Sequence, residues 1–227
     1  DATRELAAAV QALRIQTEEL MTIQRLDWEM QDQWPRTRKE LDIERIEAHV
    51  SAAVEAATLE TDPYPHIVVN EWLPAGTYQR LIEAIPPPVF FADLEALASR
   101  QQMAVPFSVA PAYSRQVWTF VARDVVGRML HRALNEKFKH VVREYVRAAC
   151  PALPQDFDLT LHASDGRIML RRPGYTLTPH RDPKRGFVTV LIYLARDGDD
   201  EGFGTQLYRV REDEEAPTGR VFYVEEN

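Results

Sequence analysis

His180 and Asp182 stand two apart in "RRPGYTLTPHRDPKRGFVTVLIYL", the stretch from Arg171 to Leu194, just ahead of a long apolar run. In an extended segment alternate side chains share a face, so an imidazole and a carboxylate at this spacing come within reach of one cation. They are two-thirds of the 2-His-1-carboxylate facial triad, which leaves positions on Fe(II) open for a cosubstrate and O₂. Taken alone, such a pair is most often a surface accident or a His hydrogen-bonded to its neighbour. The setting gives it more weight. Pro173-Gly174 supplies a turn before it, Phe187 to Leu194 reads as a buried strand after it, and a Gly-containing turn then leads into "GTQLY".

The elements that must position this pair fall into two textures. Residues 1 to about 60 lack Gly, and Leu6, Val10, Leu13, Thr17 and Leu20 step by four and three, a short heptad seam. Pro35 interrupts it. A second helix, roughly Lys39 to Leu59, carries Ile43, Ile46, Val50 and Val54 on one face. The two helices read either as a coiled-coil or oligomerisation arm, or as a hairpin packed on the domain's own surface. The packed hairpin is the plainer reading, because two heptads make a weak zipper.

Pro63-Tyr64-Pro65 ends the helical region, and His66 to Val69 reads as a strand. A helix is expected from about Ala75 to Ile85, burying Tyr78, Leu81, Ile82 and Ile85, and stopped by Pro86, Pro87 and Pro88. Phe90 to Gln102 reads as a further helix. A long one follows from about Ser114, as N-cap, to Ala149, with Pro151 as its stop. After Pro154 the segments "FDLTLHA", "RIMLRR", "GFVTVLIYL", "GTQLYRV" and "RVFYVEE" are short, β-branched and punctuated by Gly, Pro and Asp. Helices first and strands second suggest helices packed outside an antiparallel sandwich or barrel.

The order of Pro-Gly turn, H-x-D, apolar strand ending "LIYL" and "GFGT" resembles the Fe(II)/2-oxoglutarate-dependent oxygenases, in their prolyl-hydroxylase-like branch. "PYPHIVVNEWLP" is similar to the strand that opens many of these proteins, and the resemblance runs from about His66 to the end. It implies an α+β fold with a double-stranded β-helix core (jelly-roll, cupin-like), packed helices and an N-terminal helical extension. The implied division is residues 1–60 as extension and 61–227 as oxygenase-like domain, incomplete at its C-terminus.

Carried over residue by residue, the resemblance makes His180 and Asp182 iron ligands. Tyr193 would offer its phenol to the distal carboxylate of 2-oxoglutarate, with Thr189 and Leu191 on the same face. Thr205 matches the Thr that follows the family's glycines; Gly202 keeps the first glycine, Phe203 replaces the second and Gly204 fills the free position. Arg171 and Arg172 stand where relatives often carry a cosubstrate-binding Tyr, and either guanidinium can reach an anion. The implied reaction takes 2-oxoglutarate and O₂ to succinate and CO₂ and hydroxylates a small molecule or a protein or peptide side chain, with ascorbate as auxiliary reductant. A carboxylate at Asp182, where halogenating relatives carry a small residue, implies hydroxylation.

The family also needs a second His and then a Lys or Arg, both further downstream. The other five His residues (49, 66, 131, 140 and 162) all precede the motif. A closed jelly roll takes about eight strands, and four or five are counted after Pro154. The expectation is therefore that further chain follows Asn227 and, since Asp1 is not Met, that some precedes it. The alternative is a non-catalytic binding or scaffold protein on a degenerate oxygenase fold, with the N-terminal helices as its interaction arm.

Bulk composition excludes other classes. The 227 residues carry a net charge of -8 with no compensating basic block, which disfavours nucleic acid as a partner. There is no run of about 18 apolar residues and no signal peptide. Cys150 is the single cysteine, so no internal disulfide forms and a reducing, cytoplasmic setting is expected. "DGDDEG" (Asp197 to Gly202) mimics the start of a Ca²⁺ loop, but Tyr208 stands where position twelve needs Glu, so it reads as a solvated turn.

Overall fold

Helix α1 (Ala2–Gln31) opens the computed structural model, which describes residues 2–94, 97–102, 110–154, 156–163, 166, 168–171, 175, 180, 186–196, 198–199, 202 and 204–209. A turn at 32–33 separates it from α2 (Trp34–Glu40), and Pro35 sits in the first turn of α2, where its missing N–H is no loss. Asp42 caps α3 (Ile43–Ala56): its Oδ1 accepts the Arg45 backbone N–H at 2.8 Å. Ile46, Val50 and Val54, four apart, are buried on one face as the spacing predicts, while Ile43 stays 45% exposed.

Helix α4 (Ala75–Glu83) forms where expected, buries Leu81 most fully, and ends ahead of the three prolines. The long helix also forms, as α5 (Ala112–Phe120), a π-helical stretch (Val121–Leu130) and α6 (His131–Ala149). Its N-cap is Pro111, not Ser114, which is buried inside α5, and it ends just before Pro151. In the wide π turn a Cβ at Gly127 would lie 3.0 Å from the Ala122 carbonyl oxygen, which suits Gly to that position.

These helices enclose one core. Helix α3 packs on the π stretch and α6, and α4 packs on α2 and α5. Ile46, Val50, Val117, Val125 and Met129 are wholly buried there. The Trp118 indole N–H donates to the Ala84 carbonyl at 2.8 Å, and the Thr37 and Tyr113 hydroxyls pair at 2.9 Å, so these polar groups enter the core with partners.

Three expectations are corrected. The jelly-roll core is not what the described chain builds: helix accounts for 58% of it. Its ladder strands form one small antiparallel sheet, ordered β1 (Ala92–Leu94), β2 (Leu97–Gln102), β3 (Met169–Arg171). Among the described residues "FDLTLHA", "GFVTVLIYL" and "GTQLYRV" carry no ladder, and "RVFYVEE" lies outside them. The apolar surface that would line a barrel is instead concentrated in the helices, which cover one another.

Second, the helix expected over Phe90 to Gln102 is a 3₁₀ turn (Pro88–Phe90) followed by β1 and β2. Its Ala- and Leu-rich composition favours helix locally, but Arg100, Gln101 and Gln102 find backbone partners in Arg171, Leu170 and Met169. Third, α1 does not fold back on the domain along its heptad seam. Leu6, Leu13 and Leu20 keep 66%, 65% and 65% of their surface exposed. Only its last turns dock, where Asp27 Oδ1 accepts the Ala112 N–H at 2.8 Å and Met30 packs on the core.

Candidate functional site

The motif region begins at β3, whose pairing with β2 sets Arg171 opposite Arg100. Arg171 is exposed, and its guanidinium lies 4.7 Å from the centroid of the Tyr175 ring. That stacking orients the group while leaving its charge intact. His180 is exposed. Asp182 and Arg172 lie outside the described residues.

The segment after the motif, Gly186 to Arg196, bends at Phe187 and forms no ladder. Ile192 and Leu194 pack against the helical core, so the alternate residues Leu191 and Tyr193 face away from it. This is the two-residue period expected of an extended chain. The expected burial is not found: Val190, Leu191 and Tyr193 are 45%, 48% and 46% exposed, because no second sheet covers that face among the described residues.

Tyr193 and Thr205, both implied to contact 2-oxoglutarate, are brought together: their hydroxyl oxygens share a hydrogen bond. The turn between them makes this possible. The Arg196 N–H donates to Asp199 Oδ2 at 2.8 Å, and the Asp199 N–H donates back to the Arg196 carbonyl at 3.1 Å. Gly198 takes φ +88°, a left-handed conformation that glycine adopts without strain. The chain thus doubles back as its Gly and Asp content predicts.

Three tethers that no local pattern signals hold this region to the rest. The Tyr78 hydroxyl on α4 donates to the Ala195 carbonyl at 2.7 Å. Burial raises the Tyr78 phenol pKa, and the charge of Asp199 adds to this. Phe187 meets Tyr145 on α6 edge to face, with ring centroids 6.3 Å apart. Arg209 forms a two-pronged ion pair with Asp62, one bond of 2.9 Å from Nε to Oδ1 and a second from its NH2 group to Oδ2. His66 and Glu60 exchange two backbone bonds of 2.9 Å beside Asp62, and this bridge is what forms of the strand expected over His66 to Val69.

The fit of an iron ion can be tested on these residues. Among the described residues no three His, Cys, Asp or Glu side chains gather as a metal site. Of the implied ligands His180 alone is described, and it stands exposed. The described residues therefore do not hold a metal by themselves. A groove of about 440 Å³ lies between α2 and α5, lined by Trp34, Arg38, Arg115, Phe120 and Arg123 among others, and none of the motif residues lines it. Among the described residues no helix is long and apolar enough to cross a membrane. Comparison with family models, curated proteins and solved structures finds no match.

Proposed function

We propose that this chain belongs to an Fe(II)- and 2-oxoglutarate-dependent dioxygenase that hydroxylates a small molecule or a protein side chain in the cytoplasm. The reading rests on the H-x-D spacing of His180 and Asp182, and the observation that carries it furthest is the contact between Tyr193 and Thr205. Tyr193, implied to meet the distal carboxylate of 2-oxoglutarate, and Thr205, twelve residues on and implied to bind the same cosubstrate, have their hydroxyls on one another. A pair of bonded hydroxyls uses one hydrogen internally and keeps the other free to donate. That arrangement suits a carboxylate, which accepts hydrogen bonds and offers none.

In this reading His180 and Asp182 hold the metal, Tyr193 and Thr205 orient the cosubstrate, and Arg171 or Arg172 supplies a positive charge for an anion. The bound iron, with 2-oxoglutarate and O₂, supplies the oxidising chemistry that no side chain can. The contribution of the chain is geometry: Tyr78 pins the backbone two residues beyond Tyr193.

The test is succinate release from 2-oxoglutarate with added Fe(II) and ascorbate. His180→Ala is expected to abolish it. Tyr193→Phe is expected to raise KM for 2-oxoglutarate several-fold with a smaller change in kcat, as for loss of a ground-state contact. Full succinate release by His180→Ala overturns the assignment.

A further inference from the structure

We propose that α1 is a self-association arm, which pairs with α1 of a second copy as a short parallel two-stranded coiled coil. The proposal is independent of the oxygenase reading. Along the seam the steps of four and three place Val10 and Thr17 at a positions and Leu6, Leu13 and Leu20 at d positions. A β-branched residue at a with Leu at d is the combination that favours two parallel strands.

The structure adds what periodicity alone does not decide. Leu6, Val10, Leu13 and Leu20 are exposed by 58% or more, so the domain's own core leaves this face uncovered. The seam also ends where docking to the domain begins. Its next two positions would be Gln24 and Asp27, and Asp27 instead binds the Ala112 N–H of the same chain. One helix thus divides into a half that carries the exposed seam and a half anchored to the domain.

Charge selects the occupant. The acidic and basic residues of the free half, Arg4, Glu5, Glu18 and Glu19, fall at b and c positions on the outer side, and Arg14 alone flanks the seam. Arg14 leans outward to Glu18, with Nε 3.0 Å from Oε1. In a parallel pair the residue facing Arg14 is Ala9 of the other copy, so no like charges meet. A second copy therefore meets no like charge across this face, and the β-branched a positions with Leu at d give it the parallel register.

The seam is short, and this sets the strength. Residues 2–23 span about 33 Å, and a third of a cylinder about 11 Å wide covers roughly 380 Å² per copy. Two copies bury roughly 760 Å², below the ~1,200 Å² of a stable specific interface. The expected behaviour is a reversible monomer–dimer equilibrium with Kd on the order of tens of micromolar.

Sedimentation equilibrium on the full chain from about 1 to about 300 µM covers that range. The expected result is a concentration-dependent dimer that Leu13→Asp weakens by more than tenfold and that Glu18→Gln leaves unchanged. Leu13 is exposed in the monomer, and an unchanged circular dichroism spectrum at low concentration shows that the variant folds. In a Cys150→Ser background, Leu20→Cys is expected to cross-link to itself on oxidation. A monomer at every concentration, or a dimer indifferent to Leu13→Asp, overturns the proposal. A dimer whose Leu20→Cys sulfurs fail to cross-link overturns the parallel register.

Discussion

In the helical region Ile46, Val50, Val117 and Val125 are wholly buried, whereas in the motif region Val190, Leu191 and Tyr193 keep almost half their surface in water. The first region is held by apolar area that several helices remove from solvent together. The second is held by a few separate contacts: Ile192 and Leu194 on the core, Tyr78 on the Ala195 carbonyl, Tyr145 on Phe187 and Asp62 on Arg209. Burial is cooperative, so its loss is felt throughout a domain. Point tethers are nearly additive, so each one controls only the segment it holds. A site on such a segment can be adjusted without unfolding its support.

The largest effect is expected from the core. Ile46→Ala removes methylenes where the helices cannot close the gap, and it should cost about 3 kcal/mol of global stability in urea denaturation. The cost should appear as a shifted midpoint with the slope retained. If the midpoint hardly moves, the contrast between the two regions is lost.

Tyr78→Phe sharpens the same contrast at intermediate size. It deletes one exposed hydrogen bond, worth about 1 kcal/mol net at most, and the loss should fall on the motif segment. Hydrogen exchange is expected to quicken over residues 186–196 while α3 and α6 stay protected. The pH dependence has a definite sign. Burial, then Asp199, raises the phenol above its ordinary value, so the fold favours the protonated form. Its contribution is complete below the unfolded pKa of about 10 and is lost as pH rises through the folded value.

The smallest effect is expected at Asp62. Its carboxyl is held below the usual range, first by the hydrogen bond from Arg209 and further by the charges of Arg209 and His66. A lowered pKa contributes above the unfolded value and is lost as pH falls through the folded one. Both partners are exposed, and exposed pairs weaken with salt. Asp62→Asn should increase proteolytic cleavage near Arg209 at low ionic strength and leave the urea midpoint unchanged. A matching shift in that midpoint would mean that the motif region and the helical core unfold as one unit.

Much of the helical architecture was legible in the chain. Prolines 86 to 88 stop α4, Pro151 stops the long helix, and the spacing of Ile46, Val50 and Val54 marks the buried face of α3. The two-residue period through Tyr193 and the turn at Gly198 were legible for the same reason. Misread were Phe90 to Gln102, where composition favours helix, and the jelly-roll core, which the motif order implies but the described residues do not form. Of the candidate site, Tyr193 and Thr205 were each implied, whereas their contact with one another and Tyr78 and Tyr145 as supports carried no signal.

Helix stops, heptad phase and the His180–Asp182 spacing come from the chain alone, because each depends on a missing N–H or a repeat within a few residues. Tertiary structure decided that β2 pairs with β3, that Arg209 reaches Asp62 across 147 positions, and that the seam of α1 is left in water. Pairing and burial are properties of two surfaces that meet. No local stretch carries the identity of a partner so far along the chain.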